Sequence, residues 1–478
     1  MSKEILTPDV CVIGAGSGGL SVAAGAAQLG LDVVLLEKGK MGGDCLNTGC
    51  VPSKALLAAG KRAQMHRKND IKGIAGHEPD IDFSAVKDHV FETINTIAPH
   101  DSPERFQSLS VNVILEAGAF VDEKTVETAR HSIRARRFVI ATGSTAFVPS
   151  IDGLNRDKVY TNESIFDVRE KPQHLLILGG GPIGVEMAQA HRRLGCAVSV
   201  FDTGGILPRD DQDNVEIVRE ALLLEGVALY ENVEVSAVVH GEGSVSLKVK
   251  RDGEVFEVSG SHLLVAAGRV ANVEHLGLDK AGVEVDHDGV IVNARLKSSN
   301  RRVSAIGDVA SGAPRFTHIA GYHAGVIIRQ ICFGMFWAAV DYTALVWVTY
   351  CDPEIAQVGL SEDEARAAHG DDVKVVTWSF DENDRAIAER ITAGQIRVVT
   401  NKKGRILGAS IVGAHAGELI GLWALAVSSK MKIGAVTGMI APYPTLGEVS
   451  KRAAGAWFTP TLFSDKTRRI VSILKLFG

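Results

Sequence analysis

The chain has 478 residues, 46% of them hydrophobic, and carries 51 Lys and Arg against 57 Asp and Glu for a net charge of −6. That length and apolar content predict a large globular protein of about three domains. An acidic balance with its Lys and Arg scattered argues against nucleic acid or an anionic membrane surface as the main partner. Of six cysteines only Cys45 and Cys50 lie close together, which does not read as a secreted disulfide framework, so a reducing cytoplasm is the expected location. Met1 to Pro8 has no secretory-signal pattern. The most apolar region, Ile319 to Val348, is broken by His323, Arg329 and Asp341 and falls short of a membrane span.

Asp9 to Gly30 reads as strand, tight turn and helix: Val10-Cys11-Val12-Ile13, then Gly14-Ala15-Gly16-Ser17-Gly18-Gly19, then an alanine-rich run. Gly14 suits the turn, Gly16 lets backbone approach a pyrophosphate, Gly19 lets helix and strand pack, and the helix N-terminus takes the phosphates. The next strand, Val33 to Leu36, ends at Glu37, 23 residues after Gly14 and near the offset at which a carboxylate meets a ribose. Elements in that order predict a dinucleotide site rather than a fortuitous glycine turn.

Gly42-Gly43-Asp44-Cys45-Leu46-Asn47-Thr48-Gly49-Cys50-Val51-Pro52-Ser53-Lys54 then sets two cysteines five residues apart at the start of an apparent helix. Pro52 fits a first helical turn, Ala55 to Ala59 continue it with strong helix formers, and thiolates are stabilised at such a positive end. The spacing suits a redox-active disulfide. Two readings compete with it. A metal site would need further ligands that no second cysteine pair or Cys/His cluster supplies, and two buried structural thiols would leave the surrounding glycines and Pro52-Ser53-Lys54 unexplained.

Lys61 to Ser110 is helical in pattern around a loop from Gly73 to Asp82, and Val111 to Phe120 returns to strand. Arg137 to Ser144 reads as a buried strand whose Thr142-Gly143 end permits close approach to a ligand. At Leu175 the opening pattern repeats: Leu175 to Leu178, then Gly179-Gly180-Gly181-Pro182-Ile183-Gly184, a helix, and Val198 to Phe201 ending at Asp202, again 23 residues from the first glycine. Two fingerprints imply two dinucleotides, and the cysteine pair near the first suggests a flavin there and a nicotinamide at the second. Asp202 would bond a ribose 2′-OH and repel a 2′-phosphate, which favours NADH over NADPH. Against that stand Arg209, which could reach a phosphate, and a simple turn-capping role for Asp202.

Residues 226 to 270 read as short strands closing at Ala266-Ala267-Gly268-Arg269, a segment that resembles Ala141-Thr142-Gly143. Arg302 to Val309 is a strand ending in Gly307-Asp308, whose carboxylate could bind a cofactor's sugar-alcohol hydroxyls, and a helix follows through His323 to Phe333. From Thr343 the pattern becomes that of a separate α+β domain: strands at 346–350, 373–380 and 395–400, a hairpin turn over 401–404, and helices from Ala416 to Met431 and from Gly447. The tail from Leu462 to Phe477 sets Lys466, Arg468, Arg469 and Lys475 among apolar residues. It is most simply an amphipathic C-terminal helix, with attachment to a membrane surface the less favoured reading.

The chain resembles the pyridine nucleotide-disulfide oxidoreductases, the flavoproteins that include dihydrolipoamide dehydrogenase, glutathione reductase and mercuric reductase. The resemblance rests on Gly42 to Lys54, both glycine fingerprints, Ala305 to Asp308, and Asp352-Pro353-Glu354 with Val358-Gly359, and it covers nearly the whole chain. It implies an α/β fold of two Rossmann-like domains plus a C-terminal α+β dimerisation domain. FAD would be held by residues 1–150 with a return segment 271–340, NAD(P) by an inserted domain 151–270, and the homodimer by 341–478, with active sites formed across the dimer. The resemblance makes Cys50 the thiol against the flavin and Cys45 the one that exchanges with substrate. Lys54 and Glu186 are implied as an ion pair beside the flavin's reactive nitrogen, and Asp308 as a flavin-binding aspartate. Electrons would pass from NADH through FAD to a Cys45-Cys50 disulfide and on to a small-molecule disulfide or metal-thiolate substrate.

Where dihydrolipoamide dehydrogenases and glutathione reductases carry His-Pro-Thr followed by Glu, this chain departs from the family and reads Tyr443-Pro444-Thr445-Leu446-Gly447-Glu448. The family's histidine protonates a leaving thiol, and tyrosine, with a pKa of about 10, is a poor substitute. Pro442-Tyr443 instead resembles mercuric reductase, where a tyrosine at that place helps form the metal site. The C-terminal cysteine pair of those enzymes has no counterpart, since the last cysteine is Cys351. His318, His323 and His415 are candidate replacement acids, each with packing as its plainer role. A flavin- and nicotinamide-binding redox sensor with little turnover is the alternative that the missing histidine keeps open.

Overall fold

The computed structural model describes residues 3–68 and 71–477. A five-stranded parallel sheet runs in the order Val303–Ala305, Arg137–Ile140, Val10–Ile13, Val33–Leu36, Val111–Ile114. Its central strands are buried at every position, as their unbroken apolar runs require of strands covered on both faces. The chain leaves this layer through Ser144–Ala146, which pairs with Arg269–Ala271 on the way back, and Val303–Ala305 then joins the sheet beside Arg137–Ile140. Between exit and return lies a second parallel sheet, in the order Ala228–Tyr230, Ala197–Phe201, His174–Leu178, His262–Val265. An antiparallel meander over 234–260 flanks it. The last part of the chain builds a five-stranded antiparallel sheet against the helix Ala416–Ser428, whose Trp423 is fully buried and donates to Ser450 Oγ at 3.0 Å. The class is α/β, as expected, and no helix among the described residues is long and apolar enough to cross a membrane.

The two glycine fingerprints are one construction built twice. Gly14 has φ +105° and Gly179 has φ +112°. A Cβ on Gly19 or Gly184 would stand 1.9 Å from the carbonyl oxygen of Gly14 or Gly179, so each helix can start flush against its strand only with glycine there. In one place the strand pattern misleads. The single strand expected over Val111 to Phe120 is two: Val111–Ile114 ends the parallel sheet, and Ala119–Asp122 belongs to a small mixed sheet that includes Glu4–Leu6. Gly118 marks the break, where a Cβ would meet Leu36 Cδ1 at 2.5 Å.

The second and third layers are joined through Arg193, whose side chain is only 6% exposed. It lies 2.6 Å from Glu225 Oε1 and 3.0 Å from Asp352 Oδ2. Gln189 bonds both the carbonyl and the N–H of Asp352 at 2.7 Å. Buried charges of this kind are tolerated only while every partner is present. Arg193→Ala is therefore expected to lower stability by about 3–5 kcal/mol in denaturant unfolding, and a loss below about 1 kcal/mol would show that water already reaches the triad.

Candidate active site

The loop ends of both parallel sheets open on one cleft of about 2980 Å³. Gly14, Gly16, Glu37, Thr142, Gly143, Gly307 and Asp308 line it from the first layer, and Gly179, Gly181, Asp202 and Gly268 from the second. Cys45, Cys50, Lys54 and Glu186 stand among them. Gly19 and Gly184 sit behind the loops and hold them in shape.

Cys45 lies in a short helix, Gly43–Asn47, whereas Cys50 is the first residue of Cys50–Arg67. The single helix start expected for both is thus two, parted by Thr48 and Gly49. Asp44 stabilises the break: its Oδ1 accepts from Thr48 Oγ1 at 2.7 Å and from Asn162 Nδ2 at 2.9 Å, and Arg269 Nη2 lies 3.2 Å from its Oδ2. Both thiols are free and hydrogen-bonded to each other. Cys50 Sγ is also 3.3 Å from the hydroxyl of Thr317, the first residue of the helix Thr317–Cys332. The hydrogen bond from Cys45, helped by the Thr317 hydroxyl and the Lys54 charge, outweighs burial and brings Cys50 down to about 6. Sharing with Cys50, together with burial, pushes Cys45 up. The first proton of the pair thus leaves from Cys50, beside Thr317 and Lys54.

Lys54, one turn along the same helix, is 2.7 Å from Glu186 Oε2 and 4.5 Å from the centre of the Tyr350 ring. Glu186, 6% exposed, takes its second hydrogen bond from the Tyr350 N–H at 3.0 Å. This ion pair ties the cysteine helix to Pro182–Arg193, the helix that opens from the second glycine loop.

The two acidic strand ends also match. Glu37 accepts from the Ala15 and Gly39 N–H groups, each at 2.7 Å, and Asp202 accepts from the Gly180 and Gly204 N–H groups at 2.6 and 2.8 Å. Each carboxylate closes its own glycine loop and keeps lone pairs for a ribose. Asp308 accepts from Ser144 Oγ at 2.6 Å, and Arg269 donates to the same serine through both its hydroxyl and its carbonyl. Thr142 and Asn272 exchange hydrogen bonds at 2.7 and 2.9 Å. Arg269, Asn272, Asp44 and Thr317 were not singled out as site residues from sequence. Only Arg269, next to Gly268, carried a local signal.

Tyr443 and Glu448 are not brought to the cysteines within this chain, and neither lines the cleft. Tyr443 is 67% exposed and donates to Asp384 Oδ2 at 2.8 Å, an interaction that raises its pKa above the ordinary phenol value. Glu448 opens the helix Glu448–Ala456. Of the three histidines, His323 is fully buried, accepts from the Gly307 N–H at 3.0 Å and lies 2.6 Å from the Tyr342 hydroxyl. Burial lowers it to about 4, so it is a packed residue and not an acid for neutral pH. His318 meets the Val346 carbonyl at 2.8 Å, and His415 occupies the left-handed N-cap of Ala416–Ser428.

Two glycine cradles, each closed by a carboxylate and facing a dithiol across one cleft, define a two-dinucleotide redox enzyme. Residues 8–324 match the pyridine nucleotide-disulphide oxidoreductase family and residues 345–454 its dimerisation domain. The chain belongs to that family and is a FAD-dependent NAD(P)H:disulfide oxidoreductase. It is 31% identical over 449 residues to a mercuric reductase of Staphylococcus aureus, covering 93% of this chain and 82% of that one. It is 32% identical over 454 residues to a dihydrolipoyl dehydrogenase of Geobacillus stearothermophilus, covering 93% and 95%. The fold is similar to that of the HOCl-induced flavoprotein disulfide reductase RclA from Escherichia coli, with a TM-score of 0.83, 25% identity, and 94% and 99% of the two chains covered. The residues present fit both cofactors. Around Gly16 and Gly181 there is room for a close ligand, since a Cβ on Gly181 would meet nothing within 4 Å and one on Gly16 only Gly43 Cα at 3.9 Å.

Alkylation of Cys50 by iodoacetamide in the reduced protein, followed by mass spectrometry across pH, is expected to show a midpoint near 6. Cys45→Ala should move it up toward the ordinary thiol value of about 8.5, and Thr317→Val should move it less far in the same direction. An ordinary midpoint in the unaltered protein would contradict the assignment of charge to Cys50.

Proposed function

We propose that this enzyme reduces soft-metal thiolate complexes at the expense of NADH, working as a homodimer. One observation carries the choice of acceptor: the position of the family's proton donor is held by Tyr443, pinned to Asp384 with its pKa raised. A disulfide substrate releases a thiol that must be protonated as it departs. A metal held by two thiolates exchanges them one at a time for protein sulfurs, and each leaves as a thiolate to be protonated in bulk water. The mercuric reductase relatives and the Cu(II) complex of the E. coli neighbour support the same class of substrate.

When bound, FAD takes two electrons from the nicotinamide and supplies them to the sulfur pair. The rest falls to the chain, with FAD assigned to residues 1–150 and 271–340, the nicotinamide to 151–270, and dimerisation to 341–478. Cys50 is assigned the flavin-side role because it holds the charge, and Cys45 the exchange with incoming metal. Glu186 holds Lys54 in place, and Lys54 in turn favours the Cys50 thiolate. Tyr443 and Glu448 would serve the cysteines of the other protomer, the phenol proton being held by Asp384 so that the Tyr443 oxygen is left as an acceptor. At the second loop, the negative charge of Asp202 would meet a 2′-phosphate unfavourably, which supports NADH as the donor.

Steady-state oxidation of NADH and of NADPH, each with glutathione-complexed Hg(II) and with lipoamide, tests this reading. The expected result is turnover with Hg(II), faster with NADH, abolished in Cys45→Ser, and at least ~10²-fold above any lipoamide rate. Tyr443→His should raise lipoamide turnover. Efficient lipoamide reduction by the unaltered enzyme would overturn the choice of acceptor.

A further inference from the structure

The tail of the chain, although inside the 341–478 segment assigned to dimerisation, lies beyond the matched dimerisation domain. The matched dimerisation domain ends at residue 454, and beyond it Thr459–Leu462 and Asp465–Leu474 form two further helices. No residue of Asp465–Leu474 is buried. Its hydrogen bonds reach no further back than Thr461 among the described residues, through Thr467 Oγ1 at 2.9 Å. Ile470, Val471, Leu474 and Phe477 recur at the three- and four-residue spacing that puts side chains on one helix face. Leu474 is 61% and Phe477 83% exposed, so this face is not packed on the chain's own fold.

The charges around that face indicate what covers it. Arg468 and Lys475 border the apolar face on one side and Arg469 on the other, beyond the exposed Ile473, while Lys466 stands within it between Ile470 and Ile473. Asp465 is the sole acid of the helix and pairs only with Arg468, at 3.8 Å, while Lys466, Arg469 and Lys475 make no ion pair among the described residues. Four cations against one carboxylate thus sit at the end of a chain whose net charge is −6. Docking faces for proteins are depleted of lysine, whereas an apolar stripe edged by Lys and Arg is the pattern of a helix lying in a lipid headgroup layer. The remainder of the chain is net acidic, so the cationic tail is set off from it in charge.

We propose that Asp465–Leu474 and the residues just after it dock this reductase on an anionic phospholipid surface, the apolar stripe entering the headgroup boundary and the four cations meeting lipid phosphates. The helix is about 15 Å long, which suits lying in the surface and not spanning it.

Flotation of the purified full-length flavoprotein with vesicles tests the proposal, using phosphatidylcholine alone against phosphatidylcholine with about 30% phosphatidylglycerol. Association with the anionic vesicles is expected, falling as salt rises from about 50 to about 500 mM. Arg468→Glu with Arg469→Glu, or Ile470→Ser with Leu474→Ser, should each cut it by ~tenfold or more. NADH-dependent flavin reduction and the light-scattering mass should be unchanged in both. Absence of anionic-vesicle binding, or binding indifferent to the charge reversal, would overturn it. So would a fall in light-scattering mass in the Ile470→Ser, Leu474→Ser protein, because the stripe would then be packed on a second copy of the chain.

Discussion

Gly43 lies so close to Gly16 that a Cβ on it would stand 2.7 Å from the Gly16 Cα, and the neighbouring Gly42 N–H donates to the Ala15 carbonyl at 2.9 Å. This backbone-to-backbone contact seats the cysteine segment directly on the first dinucleotide loop. A side chain at Gly43 would push the segments apart, and the sulfurs would leave the cleft with them. From that seat follow the short helix carrying Cys45, the turn at Thr48 and Gly49, and a second helix whose first residue is Cys50. The chemistry uses a geometry that this packing sets.

The same cleft must admit a second nucleotide, and its two walls come from different layers. They are held in register by an apolar cluster, in which Leu46 and Leu56 pack with Val185, Met187 and Ile355, and by ion pairs. Lys54 and Glu186 join the cysteine helix to the helix after the second loop, and Arg193, a few turns further along that helix, reaches Glu225 and Asp352. One helix, Pro182–Arg193, therefore takes part in nucleotide cradle, cleft wall and contact with the last domain. Such pairs add little net stability but penalise heavily any arrangement that separates them.

Much of this was legible in the sequence because it is local. The glycine fingerprints, their acidic strand ends and the two-cysteine segment are stretches of a few dozen residues in which spacing alone states the geometry. Lys54 and Glu186 became readable only through family resemblance, since 132 residues separate them. Thr317 and Asn272 could not be read, because a threonine at a helix start or an asparagine just past a strand has no periodic signature and gains meaning only from the chain that folds over it. Asp384 is the sharpest case. Tyr443 was visible as a departure from the family, but the carboxylate that fixes its hydroxyl lies 59 residues earlier, in a segment with no motif. The tail helix was visible as a pattern, whereas its burying no residue against the described part of the chain is a fact of three dimensions.

In the proposed function, electrons entering from the nicotinamide come to rest on Cys45 and Cys50. Anaerobic addition of one equivalent of NADH to the oxidised flavoprotein, followed by denaturation and mass-spectrometric counting of labelled thiols, tests it most directly. Labels are expected on Cys45 and Cys50 and on no other cysteine that was unlabelled before reduction. Consumption of NADH with no new thiol at these two positions would contradict it.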